Sequence, residues 1–430
     1  MASLPAFDLQ SHLGRLPPDV ALQLPQGRQF GPPNPLVKLA FSNWTGVARL
    51  RAGRIGALAE DYVEGKLQLH GAMRDIMRVA QRLLPGSPVR QGSGWLARLR
   101  TQASWFAGHT PARDARQIEF HYDVSDAFYA LWLDPRRVYS CAYYSDLADP
   151  AISLADAQQA KLDLICRKLM LKPGERFLDV GAGWGGLLLW AAEHYGVRAT
   201  GITLSKNQHA YVAELIARKR LGDRVRIALC DYRSLPEDRP FDKIASVGMF
   251  EHVGRHRLTA YFQKIARLLT PGGLALNHGI TAGGLANDQL GAGIGEFIGK
   301  YIFPGGELVH ASALLRHLAE SGLEMVDAEN LRPHYARTLW DWSDALEARL
   351  GEAQQVLASG TGPERAEHAE RVLRAYRLYL AGSAMSFDEG WISLHQILAT
   401  RPLEPTVGQV DLNSCPARSA YPFNRAYMYR

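Results

Sequence analysis

Long apolar runs are missing from this chain: no stretch reaches the roughly 18 consecutive apolar residues that a membrane-crossing helix needs. The opening "MASLPAFDLQ" has neither a charged leading segment nor a long apolar core, so no signal peptide is expected. Cysteine is scarce. The four present, Cys141, Cys166, Cys230 and Cys415, lie far apart, and no pair has metal-site or redox-motif spacing. That excludes a disulfide-stapled scaffold and a zinc module, and free thiols in a reducing cytoplasm are the expectation. Internal repeats and low-complexity tracts are also absent. What remains is an ordinary globular composition, 47% hydrophobic and 21% charged, over 430 residues, enough for a large core and two domains. The net charge of +6 suits an anionic partner, either nucleic acid or an anionic membrane face, and suits a mildly basic soluble enzyme equally well.

Residues 1 to about 84 read as one unit. "FGPPNPLVKLAF" predicts a turn and a strand, and "GRIGALAEDYVEGKLQLHGAMRDIMRVAQRLL" carries helical spacing of Leu, Ile, Met and Val. "LPGSPVRQGSG" has no periodicity and reads as a linker. It leads into "WLARLRTQASWF", where Trp95, Leu96, Leu99, Trp105 and Phe106 mix with Arg98 and Arg100. Such a mixture suits an interfacial helix, or a helix packed on its own domain. From about 158 the pattern alternates: "ERFLDVGAG" as a strand, "GGLLLWAAEHYG" as a helix, "VRATGITLS" as a strand, "KNQHAYVAELIARKR" as a helix. The strands "RVRIALCD" and "FDKIASVGMFEHVG", the helix "LTAYFQKIARLL", the turn "TPGG" and the strand "LALNHGIT" follow. This alternation predicts an α/β fold with a largely parallel sheet covered on both faces. Insertions are expected near 282–310 and, mostly helical, near 335–390; "LEMVDAENL" lies between them and "WISLHQILAT" supplies a last strand.

"LDVGAGWGG" places Asp179, Gly181, Gly183 and Gly185 at a strand-to-helix turn, where glycine lets backbone approach a ligand. A dinucleotide site would want an acid about 20 residues further on. That region reads "GITLSKNQ" instead, with Thr203, Ser205 and Gln208 as neutral hydrogen-bonding groups. No phosphate cradle with Lys followed by Ser or Thr is present either. The D-x-G-x-G-x-G pattern resembles the S-adenosylmethionine loop of seven-strand methyltransferases. The strand of "FDKIASVGMFEHVG" ends on Glu251 and His252, which is either a cap or a site.

"HYDVSDAFYALWLD", "VYSCAYY", "LDVGAGWGG", "GITLSKNQ", "FEHVG", "YIFPGGEL" and "PHYARTL" occur in that order. Together they resemble cyclopropane fatty acid synthases and the related mycolic acid methyltransferases, from about residue 115 to the end. The first unit resembles, more weakly, a lipid-carrier-type domain. The implied organisation is a small α+β domain over 1–84, a linker with an interfacial helix over 85–110, and a seven-strand Rossmann-like class I methyltransferase domain with helical lipid-binding insertions over 111–430. The resemblance implies S-adenosylmethionine bound by Tyr139, Ser140, Gly181, Ala182, Gly183, Thr203, Leu204, Gln208 and Tyr232. It implies a bicarbonate ion held by Cys141, Glu251, His278, the Ile280 backbone and Tyr335, with no metal. Taken singly, Cys141 reads as a small buried hydrophobe and His278 as a satisfied core histidine.

The implied chemistry adds a methylene group across a cis double bond of unsaturated phospholipid acyl chains, giving cyclopropane fatty acids. The alkene attacks the sulfonium methyl, a cation forms, and one proton must leave before the ring closes. In an apolar lipid tunnel an isolated charged base is costly, so a bound bicarbonate serves as base. Aromatic faces stabilise the cation by about 0.5–2 kcal/mol each. The same site could yield methyl- or methylene-branched chains, and a non-catalytic lipid-binding protein would keep the fold without the chemistry. Ala182 and Ser383 stand where relatives often carry cysteine, and Tyr232 where some carry Trp. The partners implied are acyl chains and an anionic membrane surface, without nucleic acid and with room for a homodimer. The location implied is cytoplasmic, peripheral at the inner membrane face. The Trp95–Phe106 stretch is the expected docking element, with the tail "YPFNRAYMYR" as the alternative.

Overall fold

A computed structural model of the chain describes residues 18–83, 124–284, 297, 301, 308–359, 363–403 and 421–429. The expected linker, with the Trp95–Phe106 stretch, lies outside them, as does most of the 282–310 insertion.

The first unit contains β1 (Val20–Gln23), β2 (Gln29–Phe30), β3 (Val37–Phe41), α1 (Trp44–Arg51), α2 (Ile55–Val63), β4 (Leu67–His70) and α3 (Met73–Leu83). Its strands form a mixed sheet in the order β2-β1-β3-β4. The Asn43 side chain caps α1 by accepting the Gly46 N–H at 3.0 Å. The helical spacing expected across this region is broken by β4. Gly65 turns the chain after α2 with φ of +74°, and Leu67 and Leu69 then alternate with Gln68 and His70 at the two-residue period of a strand. β4 pairs antiparallel with β3.

The second unit opens with α4 (Asp126–Tyr129) and α5 (Leu154–Lys168), followed by β5 (Arg176–Val180), α6 (Gly186–Tyr195), β6 (Arg198–Thr203), α7 (Lys206–Arg218), β7 (Val225–Leu229), β8 (Phe241–Val247), α8 (Leu258–Leu268) and β9 (Leu269–Ala282). Then come α9 (Ala311–Glu320), β10 (Glu324–Asn330), α10 (Arg332–Glu347), α11 (Leu350–Leu357), α12 (Pro363–Asp388) and β11 (Ile392–Thr400). The seven strands lie in the order β10-β11-β9-β8-β5-β6-β7. Pairing is parallel from β9 through β7, and β11 runs antiparallel between β9 and β10. The α/β expectation therefore holds, and the alternation of strands and helices is as the sequence predicts. "TPGG" differs: it is drawn into the start of β9, with Gly272 at φ +77° and a register shift against β8 between Phe241 and Lys243.

Strand order reverses between β5 and β8, so their carboxyl ends flank a crevice, the usual place for a ligand in an open α/β sheet. One apolar cluster joins the first unit to α10–α12 and to Phe128, Tyr129 and Trp132. At that junction Arg377 donates to the Tyr62 hydroxyl at 2.7 Å and forks onto Glu347 at 2.6 and 2.8 Å. The C-terminal tail is packed down, not extended. Tyr421 and Met428 are buried, Arg425 pairs with Asp327, and Tyr427 donates to the Lys168 carbonyl. Among the described residues no helix is long and apolar enough to cross a membrane.

Candidate active site

The glycine loop follows β5. Gly181 and Gly183 take φ of +81° and +54°, conformations open to glycine and strained for other residues. The Gly181 and Ala182 N–H groups both donate to the Ile202 carbonyl, at 3.1 and 2.9 Å, tying the loop to β6. Beneath it Asp179 is buried, and desolvation pushes its carboxyl up to about 7. After β6, Thr203 donates to Gln208 Oε1 at 2.9 Å and accepts the Ser205 N–H at 3.1 Å. Ser205 in turn caps α7. The Thr203 hydroxyl is therefore occupied within the chain, and its effect is to hold Gln208, while Leu204 lies in the bend between β6 and α7. Tyr232 stands in the short turn after β7, its ring edge-on to Tyr261 at 5.3 Å.

Tyr139 and Ser140 approach from the segment before α5. Tyr139 is packed between Trp132 and Trp342, at 5.4 and 5.2 Å, and its hydroxyl donates to Tyr379 at 3.3 Å. The Ser140 hydroxyl accepts from Lys161 Nζ at 2.8 Å. Lys161 is fully buried on α5, and burial pulls its ammonium down to about 8. The neighbouring Cys141 is buried too, and desolvation drives its thiol well above the ordinary range. It is a neutral S–H group that donates to the Ala142 carbonyl at 3.1 Å, not a thiolate nucleophile.

Glu251 sits in a single turn after β8. Its Oε1 accepts the Ile280 N–H at 2.7 Å. Gly279 makes this approach possible: a Cβ there would lie 2.7 Å from Glu251 Oε1 and 2.5 Å from the Phe250 ring. Ile280 thus spends its N–H on Glu251. Glu251 Oε2 is buried with no hydrogen-bond partner in the protein, and desolvation raises the carboxyl to about 7. Two residues before Ile280 on β9, His278 accepts at Nδ1 from Gln396 at 3.1 Å, while its Nε2 is buried and unpartnered. Burial first, then the charges of Lys161 and Lys168, hold its pKa well below 6.5, so the imidazole is neutral. Tyr335 stands in the first turn of α10, buried, its ring 4.7 Å from Phe387 and 6.1 Å from Trp342, which also touches Tyr139.

Of the residues singled out for the cofactor and the ion, Gly181, Ala182, Gly183, Thr203, Leu204, Tyr232, Glu251, His278 and Ile280 lie at or just beyond the carboxyl ends of β5 to β9, and Tyr139, Ser140, Cys141, Gln208 and Tyr335 come from the segments beside them. Gln396, Lys161 and Lys168 went unnoticed. The two lysines share the Ile165 face of α5 at spacings of four and three, and a cation repeated on a buried stripe was the available signal. Other buried atoms lack partners too, Asp179 Oδ2 and Ser246 Oγ among them; an acceptor on Glu251 and a ring nitrogen on His278 at adjoining strand ends, each costing about 1–3 kcal/mol unpaired, are the pair whose chemistry suits a ligand. Their chemistry fits a small protonated oxyanion: a neutral donor, a carboxylate acceptor, and positive charge from buried lysines.

The profile of mycolic acid cyclopropane synthetases matches residues 109–397. A probable fatty acid methyltransferase of Pseudomonas putida is 41% identical over 426 residues, covering 97% of this chain and 100% of the relative. Among solved structures, the cyclopropane synthase MmaA2 of Mycobacterium tuberculosis is 34% identical with a TM-score of 0.59, covering 66% of this chain and 98% of that one. The mycolic acid cyclopropane synthase CmaA1 complexed with SAH and CTAB is 36% identical with a TM-score of 0.59, over the same shares. Match, identity and fold agree: the chain belongs to the mycolic acid cyclopropane synthetase family of S-adenosylmethionine-dependent methyltransferases.

Proposed function

We propose that this methyltransferase transfers a one-carbon unit from S-adenosylmethionine to the cis double bond of unsaturated phospholipid acyl chains and closes a cyclopropane ring. The observation that carries the reading is the pair of unpartnered buried atoms, Glu251 Oε2 and His278 Nε2, at the carboxyl end of the sheet. An acid–base site inside an apolar enclosure has this character.

S-adenosylmethionine, bound over the glycine loop, supplies an electrophilic sulfonium methyl. The glycine-loop backbone would hold it, Gln208 and Ser140 would offer it hydrogen bonds, and Tyr232 would offer a ring. Bicarbonate, when bound, supplies the base that removes a proton from the transferred carbon. His278 would donate to it, Glu251 would accept from it and orient it, and Lys161 and Lys168 would balance its charge. Cys141 and Tyr335 flank the same space. Around Tyr139, the rings of Tyr129, Trp132, Trp342 and Tyr376 form a connected cluster. Such faces lower the cost of a cationic carbon by about 0.5–2 kcal/mol each when desolvated.

Space for the acyl chain is available between the first unit and α12. An apolar cavity there is lined by Leu39, Phe41, Leu67, Met77, Tyr379 and Ser383 among others. Tyr379 bonds to Tyr139, so the cavity adjoins the cofactor residues. On this reading residues 1–84 serve as a lipid-holding domain. The masses of lipids from cells expressing the chain test the proposal: monounsaturated chains should gain one CH₂, and the product should keep its ring under mild hydrogenation. Loss of turnover on removing bicarbonate tests the base. The name of the P. putida relative, a probable fatty acid methyltransferase, favours a second reading in which the same cation loses its proton elsewhere and leaves an unsaturated methyl- or methylene-branched chain; that double bond takes up hydrogen where the ring does not, so the hydrogenation result separates the two. Docking to an anionic membrane face at the inner leaflet, through residues 95–106, belongs to the proposal and is tested by salt-sensitive vesicle flotation.

A further inference from the structure

We propose that Gln396, held by Lys168 and Glu329, is a positioning residue that fixes His278 as the Nε2–H tautomer, so that the imidazole presents a permanent neutral donor to the oxyanion. The inference rests on the anion site proposed above and adds residues to it that the sequence did not single out.

The geometry begins with register. β11 pairs antiparallel with β9, and Gln396 lies directly opposite His278, so the two side chains share a face of the sheet. Gln396 Oε1 accepts from Lys168 Nζ at 2.7 Å. An ammonium has only donors, so the amide oxygen must face the lysine and the amide NH₂ must face the histidine. The NH₂ meets His278 Nδ1 at 3.1 Å. Nδ1 therefore has to be the acceptor. A neutral imidazole with an unprotonated Nδ1 carries its hydrogen on Nε2, and Nε2 is the atom without a protein partner.

The alternatives are disfavoured by the same groups. An imidazolium, or the Nδ1–H tautomer, would set two donors against each other at Gln396. Turning the amide would set its NH₂ against Lys168. Lys168 is itself fixed from behind: it is ion-paired with Glu329, whose other oxygen accepts the Tyr429 hydroxyl at 3.1 Å. The line Tyr429–Glu329–Lys168–Gln396–His278 thus runs from the packed tail to the site. The charged groups acting on His278 are Lys161 and Lys168, both on α5 and both opposing its protonation. Cationic neighbours leave His278 neutral while they supply the site's positive charge.

The experiment uses the full chain labelled with ¹⁵N at histidine. Long-range ¹H–¹⁵N correlation spectra are recorded from pH 5.5 to 8.5, and the His278 signals are assigned by their loss in His278→Gln. The wild type should show the neutral Nε2–H pattern throughout. In Gln396→Glu the carboxylate should draw a proton onto Nδ1, and turnover should fall roughly 10- to 100-fold, the usual scale for an outer-shell partner of a histidine. S-adenosylmethionine affinity, measured by calorimetry, should stay within about twofold, because the Gly181–Gln208 region is untouched. Lys168→Met should shift the tautomer in the same direction to a smaller extent. An Nδ1–H or imidazolium pattern in the wild type overturns the proposal, and does so even if the variants fail to fold. Gln396→Glu with a retained Nε2–H pattern, or with a changed pattern and full turnover, overturns it as well. Bicarbonate-independent turnover would instead sink the anion reading and leave the tautomer assignment standing, so the two failures are distinguishable.

Discussion

Two neighbouring regions of this molecule follow different rules. At the carboxyl ends of β8 and β9 hydrogen bonds are assigned atom by atom: the Ile280 N–H to Glu251 Oε1, the Gln396 amide to His278 Nδ1. Glu251 Oε2 and His278 Nε2 are left without a partner in the protein. Under the N-terminal sheet the cavity walls are Leu, Ile, Val, Met and Phe, with Ser383, Ser386 and Tyr379 contributed by α12. The first region offers direction and the second offers volume. Proton transfer needs a group within hydrogen-bond reach, whereas apolar attraction scales with buried area and has no direction. Damage to the first should therefore appear in turnover, and damage to the second in acyl-chain affinity and preference.

The largest effect should come from Glu251→Gln. Amide for carboxylate keeps shape, and with the amide oxygen on the Ile280 N–H it puts an NH₂ donor where Oε2 was the acceptor, so turnover should fall roughly 10²–10⁴-fold, the contribution of a positioned acid–base group. Calorimetric affinity for S-adenosylmethionine should hold. Wild-type turnover would reduce Glu251 to a brace for β9 and erase the contrast between the regions.

Gly382→Leu probes the other side. A Cβ at Gly382 meets nothing within 4 Å, and the residue lines the cavity. The change improves helix propensity by up to about 1 kcal/mol, so unfolding should not be easier. The added side chain takes space from the acyl chain. kcat/KM on long chains should drop about 10- to 200-fold, the range for a misfitted methylene in an apolar pocket, with kcat on shorter chains preserved. An equal loss on both lengths would mean that the cavity does not hold the chain.

The cavity was not legible in the sequence, and the reason is physical. Its walls are drawn from β3, α2, β4, α3 and α12, which are far apart in the chain, and each wall residue taken alone is an ordinary core residue. The parallel sheet was legible because apolar strands alternate with helices at short spacing, and the glycine loop because only backbone can approach a ligand that closely. β4 was missed because Leu67 and Leu69 also fit the helical spacing on either side. Glu251 drew notice as an acid ending an apolar strand, but its role, and His278 altogether, came only through the resemblance, for their unpartnered state depends on what Ile280 and Gln396 do, and Gln396 is more than a hundred residues from His278.

A pH series sharpens the comparison further. Burial raises Glu251 to about 7 with no compensating charge among the causes. If its ionised form is needed, kcat/KM should fall about tenfold per pH unit below 7 and level off above, and the fall should vanish in Glu251→Gln. Stability should move the opposite way. The folded carboxyl holds its proton up to about 7, the unfolded one only to the ordinary value of 4.5, so the folded state binds more protons between them. Stability is full below about 4.5 and declines as pH rises through 7, by at most roughly 3 kcal/mol for this group. Asp179, also raised to about 7 by burial, adds to the same slope. Urea unfolding at pH 5 and pH 8 measures it, and a Glu251→Gln variant with an unchanged slope would show that the carboxyl is solvated.

The smallest effect is expected at Ser383. If that side chain were a nucleophile, the cavity would be part of the chemistry, and the division between the regions would fail. The chemistry argues otherwise: the alkene supplies the electrons, the sulfonium methyl accepts them, and no enzyme nucleophile is required. Ser383 lines the apolar cavity beside Tyr379 and Gly382, and the Cys141 thiol is held protonated by burial. Ser383→Ala removes a hydroxyl from an apolar wall and should leave turnover within about twofold, under half a kcal/mol on the barrier. Ser383→Cys should do the same. Parallel assays of both variants decide the matter: an inactive alanine variant beside an active cysteine variant would move catalysis into the cavity and require a covalent step.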